Sequence, residues 1–403
     1  DRAHYYGKKV VAGGPFVTTY PERTKADYIV TGEAEITLKP FLEDLLMGAD
    51  KGIWTEDNVK GRGVVQLTRG GKTEITNTPI PRWDLVNLRN YASAAIQFSR
   101  GCPFDCDFCD ITKLYGREFR TKTPEQMIAE LDALYNSGHR GAVFFVEDNF
   151  IGNSEKIMQL ILYLIDWQIK RGFPFYFFTQ ASTNLAWDSN RDILHGMKEA
   201  GFDHVFLGIE SVDNEVLKLM HKGQNTKMSP LEAVRRIQNA GLEVSGGFII
   251  GSDGERKDVF DGLFRFIQEA GIPMAMPGLL TAVRGTDLYT RLEKEGRILE
   301  ESKGNNTHDL TFNFIPQLDR EFLLKGYKGL IGDLFEPKNY YQRCRILKDN
   351  FEKSLDGGMP LILASWAELV NTFSGIDDDF SQKVADWLKS RQFDSGAFPE
   401  SSG

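Results

Sequence analysis

Three cysteines stand close together in the segment Cys102-Pro-Phe-Asp-Cys106-Asp-Phe-Cys109. The segment directly follows the apolar run 94–98, so we expect it on a loop that begins where a strand ends. Three thiolates can hold three irons of a 4Fe–4S cluster and leave the fourth iron open to another ligand. Clusters that only transfer electrons are normally closed by four cysteines, so an odd ligand count indicates chemistry at the open iron.

A structural zinc site is the main alternative for these cysteines. Such sites usually draw four ligands from two separated pairs, whereas the remaining cysteine, Cys344, lies far downstream in a helical stretch. Disulfides are disfavoured because three crowded cysteines leave one over and no signal peptide is visible. We predict that Cys344 is a buried apolar residue and that His195 and His204 are structural or surface residues. The zinc interpretation stays open on these grounds.

Composition restricts the partners. The 403 residues are enough for two or three domains, and 57 acidic against 48 basic residues give a net charge of −9. This balance argues against a general grip on nucleic acid and leaves a small neutral, cationic or hydrophobic substrate open. No run of about 18 apolar residues is present, so we predict no membrane span. Reduced cysteines without a targeting segment predict a cytoplasmic protein.

Strand and helix patterns alternate from about residue 92 to residue 285. The first helix should begin at Thr123, in a capping box with Gln126, and stop at Gly138. The second should run from Ser154 to Gly172. Six β/α units imply parallel strands with helices outside, in a doubly wound sheet or a barrel. The candidate strands are 94–99, 142–148, 175–181, 204–210, 243–250 and 273–281.

The flanking regions differ from this central part. Residues 1–48 contain two strands that end in glycine turns and then a helix, as in half of a doubly wound domain, and the start at Asp1 indicates that this domain is cut. Residues 49–90 read as a connector with a hairpin around Gly70-Gly71. Residues 286–352 are helix-rich and aromatic, and 353–403 carry two weak helical patterns before a Ser/Gly tail.

The cysteine spacing, with aromatic Phe108 before the third cysteine, resembles the signature of the radical S-adenosylmethionine (SAM) superfamily. The resemblance implies an α/β fold, a partial (β/α)6 TIM-like barrel open on one side, with the site at the carboxyl ends of its strands. It implies that Cys102, Cys106 and Cys109 hold the cluster, which receives electrons from a donor such as flavodoxin or ferredoxin. The reduced cluster would cleave SAM to a 5′-deoxyadenosyl radical that abstracts hydrogen from a small-molecule substrate. No other catalytic residue is assigned.

The same resemblance assigns residues after several strands to SAM binding. Glu147, Asp148 and Asn149 occupy the position where the family grips the methionine amino group, and their oxygens suit an ammonium donor. Glu210 ends the ribose-binding strand, and 245–251 resembles the adenine-binding strand. The implied SAM residues are Phe108, Glu147, Asp148, Asn149, Ser182, Glu210, Phe248, Ile250 and Gly251.

The glycine turns before the core, the Arg82-Trp83 connector and the segment 312–341 together resemble one subgroup. Its members are cobalamin-dependent radical SAM proteins with a C-terminal accessory domain of unknown function, among them bacterial hopanoid methylases. Residues 1–48 would then be the C-terminal half of a Rossmann-like cobalamin-binding domain in the full-length protein. The residues implied for cobalamin are Gly13, Gly14, Gly32 and Glu33.

Methyl transfer to an unactivated carbon follows from this resemblance, with one SAM methylating the cobalt and a second generating the radical. Two alternatives remain: radical oxidation or cyclisation without methyl transfer, and a non-catalytic zinc or cluster-binding scaffold. The aromatic residues of the accessory region suit a hydrophobic or polycyclic substrate, although aromatics at helical spacing more often form a core. These residues are Phe312, Phe314, Phe322, Tyr327, Phe335, Tyr340 and Tyr341.

Overall fold

A small parallel sheet forms the N-terminal unit. The computed structural model describes residues 2–48, 52–59, 72–303 and 310–352. The strands of this unit are β1 (Val11–Gly13), β2 (Tyr28–Val30) and β3 (Ile53–Trp54), paired in that order and all parallel. Its helices are α1 (Arg2–Tyr5), α2 (Pro15–Thr19), α3 (Ala34–Leu46) and α4 (Glu56–Val59). The unit has its own core, centred on Tyr28, Phe41 and Trp54. Its sheet therefore extends to Trp54, beyond residue 48, where the sequence pattern placed the end of this domain.

A six-stranded parallel sheet forms the centre of the molecule. Its strands are β4 (Ala94–Ile96), β7 (Gly141–Phe145), β8 (Phe175–Ala181), β9 (Phe202–Glu210), β10 (Glu243–Ile250) and β11 (Ala275–Leu279). Their order in the sheet, β11-β10-β9-β8-β7-β4, follows the chain, and β4 and β11 are the two edges. Between β4 and β7 lies the antiparallel pair β5 (Ser99–Arg100) and β6 (Arg120–Thr121). All six predicted strands are present, and the partial TIM-like barrel is confirmed.

Helices cover the outside of this sheet. They are α6 (Pro124–Asn136), α7 (Ser154–Arg171), α8 (Arg191–Glu199), α10 (Pro230–Asn239) and α11 (Val259–Ala270). Two shorter helices lie in loops, α5 (Ile111–Leu114) between β5 and β6 and α9 (Asn214–Leu219) after the carboxyl end of β9. The predicted end signals hold: Thr123 and Gln126 form a capping box before α6, and Gly172 ends α7 in the left-handed conformation with φ 69°. Apolar faces of the helices and the sheet make one continuous core.

The accessory region contains three helices, α12 (Asp287–Lys294), α13 (Arg320–Leu334) and α14 (Pro337–Glu352). α13 packs on α11 and the edge strand β11, and α14 packs on α10 and α11. Phe312 and Phe314 are buried against each other, so these two aromatics belong to the core. Cys344 is buried beside Tyr340 and Leu347, as predicted. No helix among the described residues has the length and apolar character of a membrane span. The predicted Gly70-Gly71 hairpin and the helices of 353–403 lie outside the described residues.

Candidate functional site

The cysteine loop leaves the sheet at the carboxyl end of β4 and returns through β6. The pairing of β5 with β6 closes its base. Gly101 has φ 92°, and a side chain there would place its Cβ 2.3 Å from the Glu118 carbonyl oxygen, so the loop can begin only with glycine. Cys102, Cys106 and Cys109 are partly buried and free of disulfides. The loop therefore presents three thiols at the end of the barrel where active sites form.

Burial controls the ionisation of these thiols. It raises the pKa of Cys102 to about 11 and that of Cys109 to about 12, and it also raises the pKa of Cys106. Thiolates are the ligands of iron, so the sulfurs must lose their protons when a metal binds. No three His, Cys, Asp or Glu side chains of the described ranges gather around a point that a single metal ion could occupy. Three free sulfur donors on one loop do fit the donor set of an iron–sulfur cluster.

Glu147 and Asp148 hold the chain that enters the loop. The buried Glu147 carboxylate accepts hydrogen bonds from the backbone amides of Phe98 and Ser99, each at 2.7 Å, and from the Ser99 hydroxyl. Asp148 accepts one from the Gly101 amide at 2.7 Å. Burial raises the pKa of Glu147 to about 7 despite these bonds. In this structure the two predicted SAM carboxylates therefore fix the approach to the cysteines, and a SAM contact remains a prediction.

Asn149 leaves a polar donor without a partner at the carboxyl end of β7. Its Oδ1 accepts a hydrogen bond from the Ser182 amide at 3.1 Å, which joins the ends of β7 and β8. Its Nδ2 is buried and has no hydrogen-bond partner among the described residues. An unpaired buried donor is costly, so it marks a position where a polar ligand atom would be stabilising. Asn149 and Ser182 thus lie together, as the SAM assignment requires.

Glu210 forms a buried ion pair at the end of β9. Its Oε1 lies 2.5 Å from Nζ of Lys222, a residue that the sequence analysis missed. That ammonium group lies 5.7 Å from the centre of the Phe108 ring. The structure therefore brings two predicted SAM residues, Phe108 and Glu210, to one cation. Only a contact across the chain reveals Lys222, because the stretch after β9 carries no motif that would mark it.

The predicted adenine strand differs in part from the expectation. The Phe248 ring packs on Phe266 of α11, with centroids 6.0 Å apart, so it lies on the helix side of the sheet. Ile250 is fully buried. Gly251 has φ 98°, and a Cβ there would lie 2.3 Å from the Phe312 ring. Gly251 is thus at the mouth beneath an accessory aromatic, whereas the Phe248 side chain belongs to the core.

The four residues assigned to cobalamin lie at the carboxyl ends of β1 and β2. A Cβ at Gly13 would approach the Val30 carbonyl oxygen to 2.9 Å, and one at Gly32 would meet Glu56. Packing inside the unit thus explains both glycines, whereas a Cβ at Gly14 would meet nothing within 4 Å. Glu33 is buried, and its carboxylate binds Arg120 at 2.7 Å. Gly14 therefore leaves open space, and the Glu33 carboxylate is used internally.

Two arginines connect the N-terminal unit to the cysteine loop. Arg100 and Arg120 face each other in the β5–β6 pair at the base of the loop. Arg120 binds Glu33, and Arg100 binds Glu35 through two bonds of 3.1 and 3.2 Å. Both glutamates stand at the start of α3. The turn after β2 and the cysteine loop are therefore held together by buried and half-buried ion pairs.

The N-terminal unit also contacts the segments on both sides of α12. Arg284 Nη1 lies 2.6 Å from the Glu22 carboxylate, and the Arg284 amide donates to the Tyr20 hydroxyl at 3.1 Å. Arg23 donates to the Ser302 carbonyl at 2.8 Å. The unit therefore bridges the cysteine loop and the accessory region.

Comparison with known proteins gives the family. Residues 96–267 match the model of the radical SAM superfamily, and residues 286–371 match DUF4070, a domain of unknown function. The chain is 42% identical over 344 residues to an uncharacterized methyltransferase of Synechocystis, covering 85% of this chain and 61% of the relative. It is 37% identical over 343 residues to the hopanoid C-2 methylase of Rhodopseudomonas palustris, covering 85% of this chain and 62% of the relative. The chain thus spans about three fifths of the length of these relatives.

A solved structure shows the same fold. The cobalamin-dependent SAM radical enzyme OxsB, with aqua-cobalamin and SAM bound, aligns with a TM-score of 0.63 at 17% identity. The alignment covers 96% of this chain and 64% of that chain. Because 96% of the chain is aligned, the similarity includes the N-terminal unit as well as the barrel. The chain belongs to the radical SAM superfamily and carries DUF4070 after its barrel.

Proposed function

We propose that the protein is a cobalamin-dependent radical SAM methyltransferase that methylates an unactivated carbon of a small molecule. The observation that carries the proposal is the loop with three free cysteines at the carboxyl end of a six-stranded parallel sheet. The names of the two relatives, a methyltransferase and a hopanoid methylase, support methyl transfer. The fold shared with a cobalamin-dependent enzyme supports a cobalamin role for the N-terminal unit.

The chain's own residues would bind and orient the cofactors. When bound, the cluster supplies an electron for cleavage of a SAM carbon–sulfur bond, and cobalamin supplies a methyl group. Cys102, Cys106 and Cys109 would hold the cluster, because they are the free sulfurs of the loop. The unpaired amide of Asn149 would meet SAM, together with the Glu210–Lys222 pair.

Four other predicted SAM residues would shape the site rather than contact SAM. Glu147 and Asp148 position the loop through its backbone amides, and Gly251 provides space at the mouth. Ser182 positions Asn149. The bridge from the N-terminal unit to the accessory region would exclude water from the site, as reactive intermediates require.

The proposal extends to the organisation and surroundings of the protein. We assign the cobalamin unit to residues 1–59 rather than 1–48, because β3 pairs with β2 and α4 packs on α3. The connector follows to residue 90, the radical SAM core covers 91–285 and the accessory domain covers 286–352. Electrons would come from a flavodoxin or ferredoxin. All four cysteines are free, which suits the cytoplasm as a reducing compartment.

Replacing one cysteine of the loop tests the proposal. After anaerobic reconstitution with iron and sulfide, Cys106→Ala should lose most of the bound iron and all SAM cleavage, because two thiolates remain to hold the cluster. Cys344→Ala is the matched control, since Cys344 is buried in α14 away from the loop, and it should keep both. Iron content, SAM cleavage and circular dichroism are measured on both variants. A Cys106→Ala protein with full iron and SAM cleavage would contradict the proposal.

A further inference from the structure

A glutamine outside the cysteine loop contacts one of its sulfurs. The buried Gln224 side chain directs Nε2 at Sγ of Cys106, with the two atoms 3.7 Å apart. Gln224 lies in the single helical turn Gly223–Thr226, between α9 and α10. The distance is within the range of an N–H to sulfur hydrogen bond, since sulfur is a large and weak acceptor.

Buried contacts hold this turn in place. The Asn225 side chain is fully buried and donates to the carbonyl oxygens of Gly208 at 2.9 Å and Ile209 at 3.0 Å, both at the end of β9. Its Oδ1 accepts from the Thr183 hydroxyl at 2.9 Å. On the other side, the Asp107 amide donates to the Met220 carbonyl at 3.1 Å. The turn and the cysteine loop are thus fixed relative to each other, so the Gln224 amide is preorganised.

The two other sulfurs receive hydrogen bonds from the loop itself. The backbone amide of Phe104 is a donor to Cys102, and that of Ile111 is a donor to Cys109. Cys106 receives its bond from a side chain that lies 118 residues away in the chain. Lys222, the nearby cation, is already paired with Glu210. The Gln224 amide is therefore a donor that can be removed without altering the loop's backbone.

We propose that Gln224 is a positioning residue that donates a hydrogen bond to the cluster ligand Cys106 and raises the reduction potential of the cluster. The inference rests on the proposed function, because it needs a cluster on the three cysteines. Reduction adds one electron and one negative charge to the cluster and its thiolates. A positive N–H dipole aimed at a ligand sulfur stabilises that added charge, as hydrogen bonds to cluster sulfurs do in general.

Gln224→Met tests the proposal, because methionine has a similar length and no N–H. The reconstituted full chain is poised with dithionite and a redox buffer at one fixed potential, and the reduced fraction is measured by electron paramagnetic resonance. We expect the ratio of reduced to oxidised cluster to fall about fivefold, since one hydrogen bond is lost. Gln159→Met, on the exposed face of α7, is the matched control and should leave the ratio unchanged.

The outcomes separate this inference from the proposed function. A wild-type chain that holds no reducible cluster would contradict the proposed function. A Gln224→Met chain with full iron content and an unchanged reduced ratio would overturn the inference alone. Gln224→Leu is measured beside it, because it removes the amide donor without adding a charge. Loss of iron or of the fold in both Gln224 variants would also overturn the inference, since the residue would then hold the loop rather than tune the cluster.

Discussion

At the scale of single residues, the Glu210–Lys222 pair combines an unfavourable backbone conformation with two buried charges. Glu210 has φ 65°, a left-handed conformation that disfavours a long side chain. Both side chains are buried and lie 2.5 Å apart. A strained backbone and two buried charges persist only where the surroundings fix them, and such places are often functional. The pair therefore holds the end of β9 beside the Phe108 ring.

Removing one partner of this pair should strongly destabilise the protein. Lys222→Met leaves the Glu210 carboxylate buried without its cation, which typically costs about 3–5 kcal/mol. Glu210→Gln combined with Lys222→Met removes both charges and should recover most of that loss. The free energy of unfolding in urea measures both effects. Lys218→Met is the control, because its partner Glu215 is exposed and the change should stay below about 1 kcal/mol. A double variant no more stable than Lys222→Met would contradict the explanation.

The spacing of the three cysteines and the family resemblance together predicted them as cluster ligands, and the structure places all three thiols on one loop. The orientation of Phe248 could not be predicted in this way. β10 is buried on both faces, so its apolar residues do not alternate, and a register irregularity at Gly247/Phe248 changes the pairing with β9. Lys222 and Gln224 were missed for a different reason. Glu210, the partner of Lys222, lies 12 residues away across a loop, and Cys106, the partner of Gln224, lies 118 residues away. Helix and strand periodicity links neither pair.

At the scale of elements, the long strands and helices were predictable and the shortest strands were not. The six barrel strands show apolar runs of strand length, and α6 and α7 have clear caps. β3, β5 and β6 have two residues each, which is too few to show any periodicity. Yet β5 and β6 carry Arg100 and Arg120, which attach the N-terminal unit to the cysteine loop.

The attachment of the N-terminal unit to the cysteine loop should depend on Arg120. Its side chain is buried and binds Glu33 together with the carbonyl oxygens of Thr73 and Tyr115. Arg120→Met removes the nearer of the two cations that contact the buried Glu33 carboxylate and leaves Arg100, 3.4 Å away, as the other. We therefore expect a loss of about 1.5–3 kcal/mol in the free energy of unfolding, as for hydrogen bonds to a charged group. Arg82→Met breaks an exposed pair with Asp84 and should cost less than about 1 kcal/mol. Equal effects of the two substitutions in urea denaturation would refute this role of Arg120.

At the scale of the whole molecule, buried ionisable side chains lie at both ends of the barrel. The carboxyl ends of the strands hold the cysteine loop and the ion pairs. The amino ends of β9 and β10 bury Asp203 and Glu243, whose carboxylates include oxygens without a hydrogen-bond partner in the described part of the chain. Burial raises the pKa of Glu243 to about 8, with a further rise from Asp203, and raises that of Asp203 to about 7.

These buried acids should make the fold less stable as the pH rises. Below pH 4.5, Glu243 is protonated in both the folded and the unfolded chain. Between pH 4.5 and about 8, only the unfolded chain ionises it freely, so stability falls across this range. Glu243→Gln cannot ionise, and its stability should fall less. A pKa displaced by one pH unit corresponds to about 1.4 kcal/mol, so the variant should gain a few kcal/mol on wild type between pH 5 and 8.5. If the variant and the wild type differ in the free energy of unfolding by the same amount at pH 5 and at pH 8.5, the titration of Glu243 is not the cause of the pH dependence.

The radical SAM reaction itself is tested most directly by product analysis. The chain is reconstituted anaerobically with iron and sulfide, reduced with dithionite in the presence of SAM, and assayed for 5′-deoxyadenosine. We predict a brown protein that holds about four irons and forms 5′-deoxyadenosine, because three cysteines bind the cluster and leave one iron open to SAM. A colourless protein that retains zinc and leaves SAM intact would contradict the account and the site assignments that depend on it.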